Sequence, residues 1–170
     1  LRLLAKSNGY VLEQILSPLV VAGEDFLERL RPLARRCVAR SCYHHYHGFL
    51  ATQRKLMDEQ TELKAKTLLY AYRVVLTGIH VLRTGEIQPH LPTLNETFRL
   101  GFVPELIVRK QSAEFGVLTG ADVAAHRAEL DRWERELDSA YAASTLPEET
   151  PFDDIDRFLK DERLGARDSR

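Results

Sequence analysis

Over residues 64–82, Leu68, Leu69, Tyr72, Val75, Leu76, Ile79 and Leu82 cover most of a helix's circumference. This predicts a helix buried on several sides. A polar stripe runs through it. Lys66, Tyr70, Arg73, Thr77 and His80 are spaced four, three, four and three residues apart, so all five share one face. A buried helix that carries Lys66 and Arg73 must compensate them, because an unpaired buried charge is costly. Either acids such as Glu13, Glu105 or Glu114 neutralise the stripe, or it lines a groove that receives an anion.

The charge distribution points the same way. The net charge is only −1, yet from Glu28 to Arg73 ten Lys or Arg face four acids, and from Ala121 to Arg170 fourteen acids face eight basic residues. The basic half meets phosphates, or the acidic tail neutralises it.

The remaining composition sets bounds. At 170 residues the chain can build one domain with a proper core and needs no staples. Cys37 and Cys42 are too few for a disulfide framework and point apart on a helix, so a reducing, cytoplasmic setting is expected. No apolar run approaches the roughly 20 residues of a membrane span, and Leu1-Arg2-Leu3-Leu4 is not a signal peptide, so no membrane partner is expected. A start at Leu rather than Met suggests a longer parent chain.

Helical periodicity dominates, and the expected fold is an all-α bundle of six to seven helices. Asn8 should cap a short helix that Pro18 ends. Gly23 precedes a helix over 24–37, with Pro32 a candidate kink. A third helix covers 40–57, where Gly48 would let a neighbouring backbone approach. The striped helix should stop at Gly85. Pro89 and Pro92 mark a loop, followed by pieces at 94–100 and 103–116 and an amphipathic helix at 122–143 with Val123, His126, Leu130, Trp133, Leu137 and Tyr141 as its seam. The expected organisation is a helical domain over 1–144, a linker at 145–152, a C-terminal helix at 153–164 and a disordered tail at 165–170.

Three constellations carry chemistry and each has a plainer account. Cys37, Cys42, His44, His45 and His47 are metal-ligand types, but on a continuous helix they spread around it, so no metal site is expected. Asp154-Ile155-Asp156 has the look of a Mg²⁺-binding aspartate pair, yet it opens a helix after Pro151, where capping accounts for it. Arg73 and His80 share one face and resemble the Arg-x6-His pair of HEPN-class helical RNases, in which His acts as base and Arg stabilises the charged transition state at a dimer interface. No nucleophile arrangement or Gly-rich phosphate loop is present.

The string Lys66-Thr67-Leu68-Leu69-Tyr70-Ala71-Tyr72-Arg73, followed by Leu82-Arg83-Thr84-Gly85-Glu86, resembles the C-terminal helical half of nucleotidyltransferases of the DNA polymerase β superfamily, in the RNA-repair-pathway polymerase β family. Ser7-Asn8-Gly9-Tyr10-Val11-Leu12-Glu13-Gln14-Ile15-Leu16-Ser17-Pro18, His47-Gly48-Phe49, and Glu105-Leu106-Ile107 with Lys110 and Glu114 fit in the same order. The resemblance implies a two-part α+β enzyme: a palm with Gly-Ser and paired Asp motifs, and this helical part. No Gly-Ser followed by Asp-x-Asp occurs in these residues. The implied Mg²⁺ would therefore use ligands outside the segment, which alone is not expected to be active.

The segment's implied share is substrate handling. Lys66, Tyr70, Arg73, Thr77 and His80 would bind a nucleoside triphosphate, and His44, His47, Arg54, Lys55 and Lys110 would hold an RNA end or other acceptor. The rivals are a HEPN-like RNase and a non-catalytic interaction bundle.

Overall fold

The computed structural model describes residues 1–60, 62–111, 117–118 and 120–168, with side chains described through residue 164. Among these it contains eight α-helices: α1 (Gly9–Leu16), α2 (Glu24–Arg36), α3 (Cys42–Glu59), α4 (Ala65–Thr84), α5 (Leu91–Phe98), α6 (Phe102–Gln111), α7 (Gly120–Ala143) and α8 (Phe152–Asp168), after a 3-10 turn at Leu4–Lys6. The only β pairing described is an isolated antiparallel bridge between Lys64 and Val117.

Eight helices form among the described residues where six to seven were expected, and the two eight-residue helices α1 and α5 have well-defined ends. Asn8 accepts a hydrogen bond from the Val11 N–H at 3.2 Å and so caps α1. Arg99 ends α5 in the left-handed region at φ 54°, and the Asn95 amide grips both the N–H and the carbonyl of Leu100, at 2.8 and 3.2 Å. Gly85 stops α4 at φ 76°, as anticipated, and Pro32 lies inside α2.

The chain divides into two compact units, Leu1–Cys42 with Thr145–Arg170, and Tyr43–Ser144. The sequence reading kept 1–144 together and set the C-terminal helix apart. In the first unit, the presumed linker is instead fastened to the N-terminal residues. The Arg40 N–H donates to the Pro147 carbonyl at 2.8 Å, and the Thr150 hydroxyl donates to the Ala5 carbonyl at 2.7 Å. The basic α2 meets the acidic α8 through Arg29–Glu162 at 3.0 Å and through Arg36–Asp154. Phe26 meets Phe158 edge-on at 5.9 Å. Helix α8 continues past the expected end at residue 164, through Asp168.

In the second unit, thirteen of the twenty residues of α4 are buried. It packs chiefly against α7, α6 and α5. Its neighbours approach closely at Gly78, where an added Cβ would lie 2.8 Å from the Tyr46 Cβ and 2.9 Å from Leu137 Cδ1. The sequence reading gave that role to Gly48, but nothing lies within 4 Å of a Cβ there. Gly48 is on an exposed face of α3, so the correction follows from which face is inward.

Ion pairs between α3 and α7 absorb much of the remaining charge asymmetry. Arg54 bridges Asp131 and Glu134, His47 lies 3.5 Å from Glu134, and Arg127 pairs with Asp58. Exposed pairs of this kind are worth about 0–1 kcal/mol each, so they neutralise the surface more than they stabilise it. No helix among the described residues is long and apolar enough to cross a membrane.

Candidate anion-binding site

The stripe on α4 splits in two. Its N-terminal three residues, Lys66, Tyr70 and Arg73, line a cavity of about 390 Å³. The opposite walls are Pro89, His90, Leu91 and Pro92, from the start of α5, and Ile107, Lys110 and Gln111 from α6. Leu69, Leu91 and Ile107 supply apolar surface, and three cations converge with no carboxylate among the described lining residues. Of the acids named for compensation, Glu105 is turned to Arg109 at 2.7 Å and Glu114 lies outside the described residues; Lys66 and Lys110 form no ion pair with a described residue.

Local structure sets the position of each group. Lys66 and Arg73 are two helical turns apart, about 10.5 Å along the axis, and Lys110 comes from a different helix. The Arg73 guanidinium lies 4.7 Å from the centroid of the Tyr70 ring, a cation–π contact that orients it. Tyr70 in turn meets Phe49 edge-on at 5.6 Å. His90 is the N-cap residue of α5, so the partial positive charge of a helix N-terminus adds to the same wall. His90, Leu91 and Gln111 were not among the expected site residues, and Ile107 was named only in the Glu105-Leu106-Ile107 run of the family resemblance. A Pro-x-x-Pro run whose second proline falls in the first turn of a helix was the available signal.

The C-terminal two residues of the stripe are placed otherwise. Thr77 is fully buried, and its hydroxyl donates to the Arg73 carbonyl at 2.7 Å and reaches the Gln88 carbonyl at 3.3 Å. A β-hydroxyl at this register bonds back to the preceding turn, so Thr77 does not face the cavity. His80 is not among the lining residues either, and burial holds its imidazole below the ordinary range, with Glu86 opposing. Arg73 and His80 are thus not brought to one cavity.

Of the acceptor candidates, only Lys110 reaches this cavity. His47 and Arg54 are turned to α7, Lys55 pairs with Glu59 at 3.8 Å, and His44 packs against Tyr43 and Tyr141. The Tyr43 hydroxyl donates to Asp138 at 2.7 Å, and burial together with that carboxylate pushes its pKa up to about 12.

Cys37 and Cys42 are both buried free thiols. Desolvation raises Cys37 to about 11, which leaves it protonated and unreactive. No group of three or more His, Cys, Asp or Glu able to hold a metal ion occurs among the described residues. Asp154 and Asp156 are occupied by Arg36, Arg157 and Lys160. A second cavity of about 460 Å³, in the first unit, is mainly apolar, and the one acid among its described lining residues, Asp156, pairs with Lys160.

His126 gives the second unit a pH dependence. Its Nδ1 is 3.0 Å from the Tyr72 hydroxyl, and burial lowers its pKa against the pull of Asp122 and Glu129. The folded state therefore binds fewer protons than the unfolded one just below the ordinary imidazole pKa of about 6.5. Stability falls as pH drops through that value toward the lowered folded pKa. We expect Tm to decline between pH 7.5 and 5.5, and His126→Gln to flatten part of that decline. An unchanged slope in the variant would contradict this reading.

Lys66, Arg73 and Lys110 thus line one cavity, with no carboxylate among its described lining residues. The chain belongs to the RNA repair pathway DNA polymerase beta family (RlaP), whose family model matches residues 1–161. This is a family of DNA polymerase β-like nucleotidyltransferases. The chain is also 34% identical over 88 residues to an uncharacterized protein of Methanocaldococcus jannaschii, MJ0002. That match covers 52% of this chain and 36% of the relative, so the chain spans well under two thirds of the relative's length. No solved structure matches.

Proposed function

We propose that the α4–α5–α6 cavity binds the phosphates of a nucleoside triphosphate, and that this chain is the substrate-handling helical part of a Mg²⁺-dependent nucleotidyltransferase that passes a nucleoside monophosphate to an RNA end or another acceptor. The observation that carries the proposal is the convergence of Lys66, Arg73 and Lys110 on one cavity with no carboxylate among its described lining residues. The axial separation of Lys66 and Arg73 suits several phosphates in a row better than one. Tyr70, 37% exposed, orients Arg73 and offers its hydroxyl to a sugar or phosphate oxygen. Lys110 is the acceptor candidate that remains available to the same ligand.

The Mg²⁺ of this chemistry finds no ligand set among the described residues. Its ligands are assigned to the palm, outside them, and no step here runs through the ion. The chain's own work is to bind and orient the phosphates.

The test is equilibrium binding of ATP and GTP with Mg²⁺ to the native chain and to Lys66→Ala/Arg73→Ala. Weakened binding with a nearly unchanged Tm is expected. A large fall in Tm would mean instead that the pair is structural.

A further inference from the structure

We infer that Thr77 and Gln88 are positioning residues that latch the start of α5 to α4 and thereby set how tightly the cavity holds phosphates. The inference rests on the anion-binding reading above and names what governs affinity at that site. Thr77 is fully buried one turn beyond Arg73. Its single hydroxyl proton is shared between the Arg73 carbonyl of its own helix at 2.7 Å and the Gln88 carbonyl across the loop at 3.3 Å. Gln88 then reaches forward, with its side-chain oxygen accepting the His90 N–H at 3.1 Å. The His90 ring in turn meets the Thr93 hydroxyl at 2.9 Å.

An unbroken run of hydrogen bonds thus links the cation-bearing helix to the first turn of α5. The residues it controls are the cavity wall Pro89, His90, Leu91 and Pro92. Two prolines fix φ in that wall, so it moves as a piece and the latch decides where it sits. Opposite stand Lys66 and Arg73, whose contacts to phosphate depend on tenths of an ångström.

The test uses inorganic tripolyphosphate as ligand, measured by titration calorimetry at low salt, well below the Tm of every variant. Thr77→Val and Gln88→Ala are expected to weaken binding roughly five- to tenfold, the worth of one hydrogen bond. Thr77→Ser, which keeps the hydroxyl, should stay within about twofold of the native chain. Lys66→Ala serves as the reference for loss of a cation.

Native affinity in Thr77→Val and Gln88→Ala, alongside weak binding in Lys66→Ala, overturns the latch and leaves the cavity reading intact. An equal loss in Thr77→Ser and Thr77→Val also overturns it, because the hydroxyl would then not be the cause. Should Thr77→Val fail to fold, Thr77→Ala read against Thr77→Ser decides, because Gln88→Ala keeps the backbone carbonyl that Thr77 reaches and removes only the bond to the His90 N–H. If the native chain does not bind tripolyphosphate, the cavity reading fails first and the latch with it.

Discussion

Lys66→Glu combined with Lys110→Glu is expected to abolish measurable nucleotide binding while leaving the fold intact. A charge-assisted contact to phosphate is worth about 1.5–3 kcal/mol, so losing two costs on the order of a hundredfold in affinity or more. The reversed charges add repulsion toward the phosphates in a cavity with no carboxylate among its described lining residues. Stability should scarcely change, because both side chains are exposed and neither forms an ion pair with a described residue. Circular dichroism melting and ATP titration on the same preparation separate the two effects. Retained ATP affinity in the doubly reversed chain would place the nucleotide elsewhere.

Gly78→Ala is expected to give the largest loss of stability of any single-methyl change in the second unit. The new Cβ would stand 2.8 Å from the Tyr46 Cβ and 2.9 Å from Leu137 Cδ1. The leucine methyl can swing away, but a Cβ is fixed to its backbone, so α3 must move from α4. Overpacking of this kind costs about 1–3 kcal/mol, and the rigid partner puts this site at the upper end. Alanine's better helix propensity, worth roughly 0.5–1 kcal/mol, offsets part of it. A net loss of about 2 kcal/mol in urea unfolding is the expectation. A neutral or stabilising result would show that the two helices are not held at this separation. Gly48→Ala is the control, since nothing meets a Cβ there and the change should be neutral or mildly favourable.

Local chemistry was the most legible part of this chain. Asn8 caps α1 and Gly85 stops α4 because caps and left-handed stops depend on one or two residues in sequence. The all-helical class followed from apolar spacing alone. The grouping of the first 42 residues with the C-terminal helix was not readable, because it rests on pairs such as Arg36–Asp154, more than a hundred residues apart. The tight glycine was misplaced for the same reason: Gly48 and Gly78 look alike until the inward face of each helix is known.

The candidate site was half legible. Helical spacing put Lys66, Tyr70 and Arg73 on one face correctly, and the same spacing swept in Thr77 and His80. Face alone does not say where along a helix a neighbour ends. The cavity closes over the first three residues because α5 begins opposite them, while Thr77 lies beneath the loop that leads there. The basic residues of α3 were read as available to nucleic acid, but Arg54 and His47 are turned to acids of α7 that are some eighty residues away in sequence.

The most direct test of the central claim is to record amide chemical shifts of the native chain by two-dimensional nitrogen-15 NMR while ATP is added. The account predicts that the largest saturable shifts fall on Lys66, Tyr70, Arg73, Leu91 and Lys110, and that they weaken steeply with salt as phosphate contacts do. Shifts centred instead on Arg2, Lys6 and Phe152, or no saturable shift at all, would contradict it.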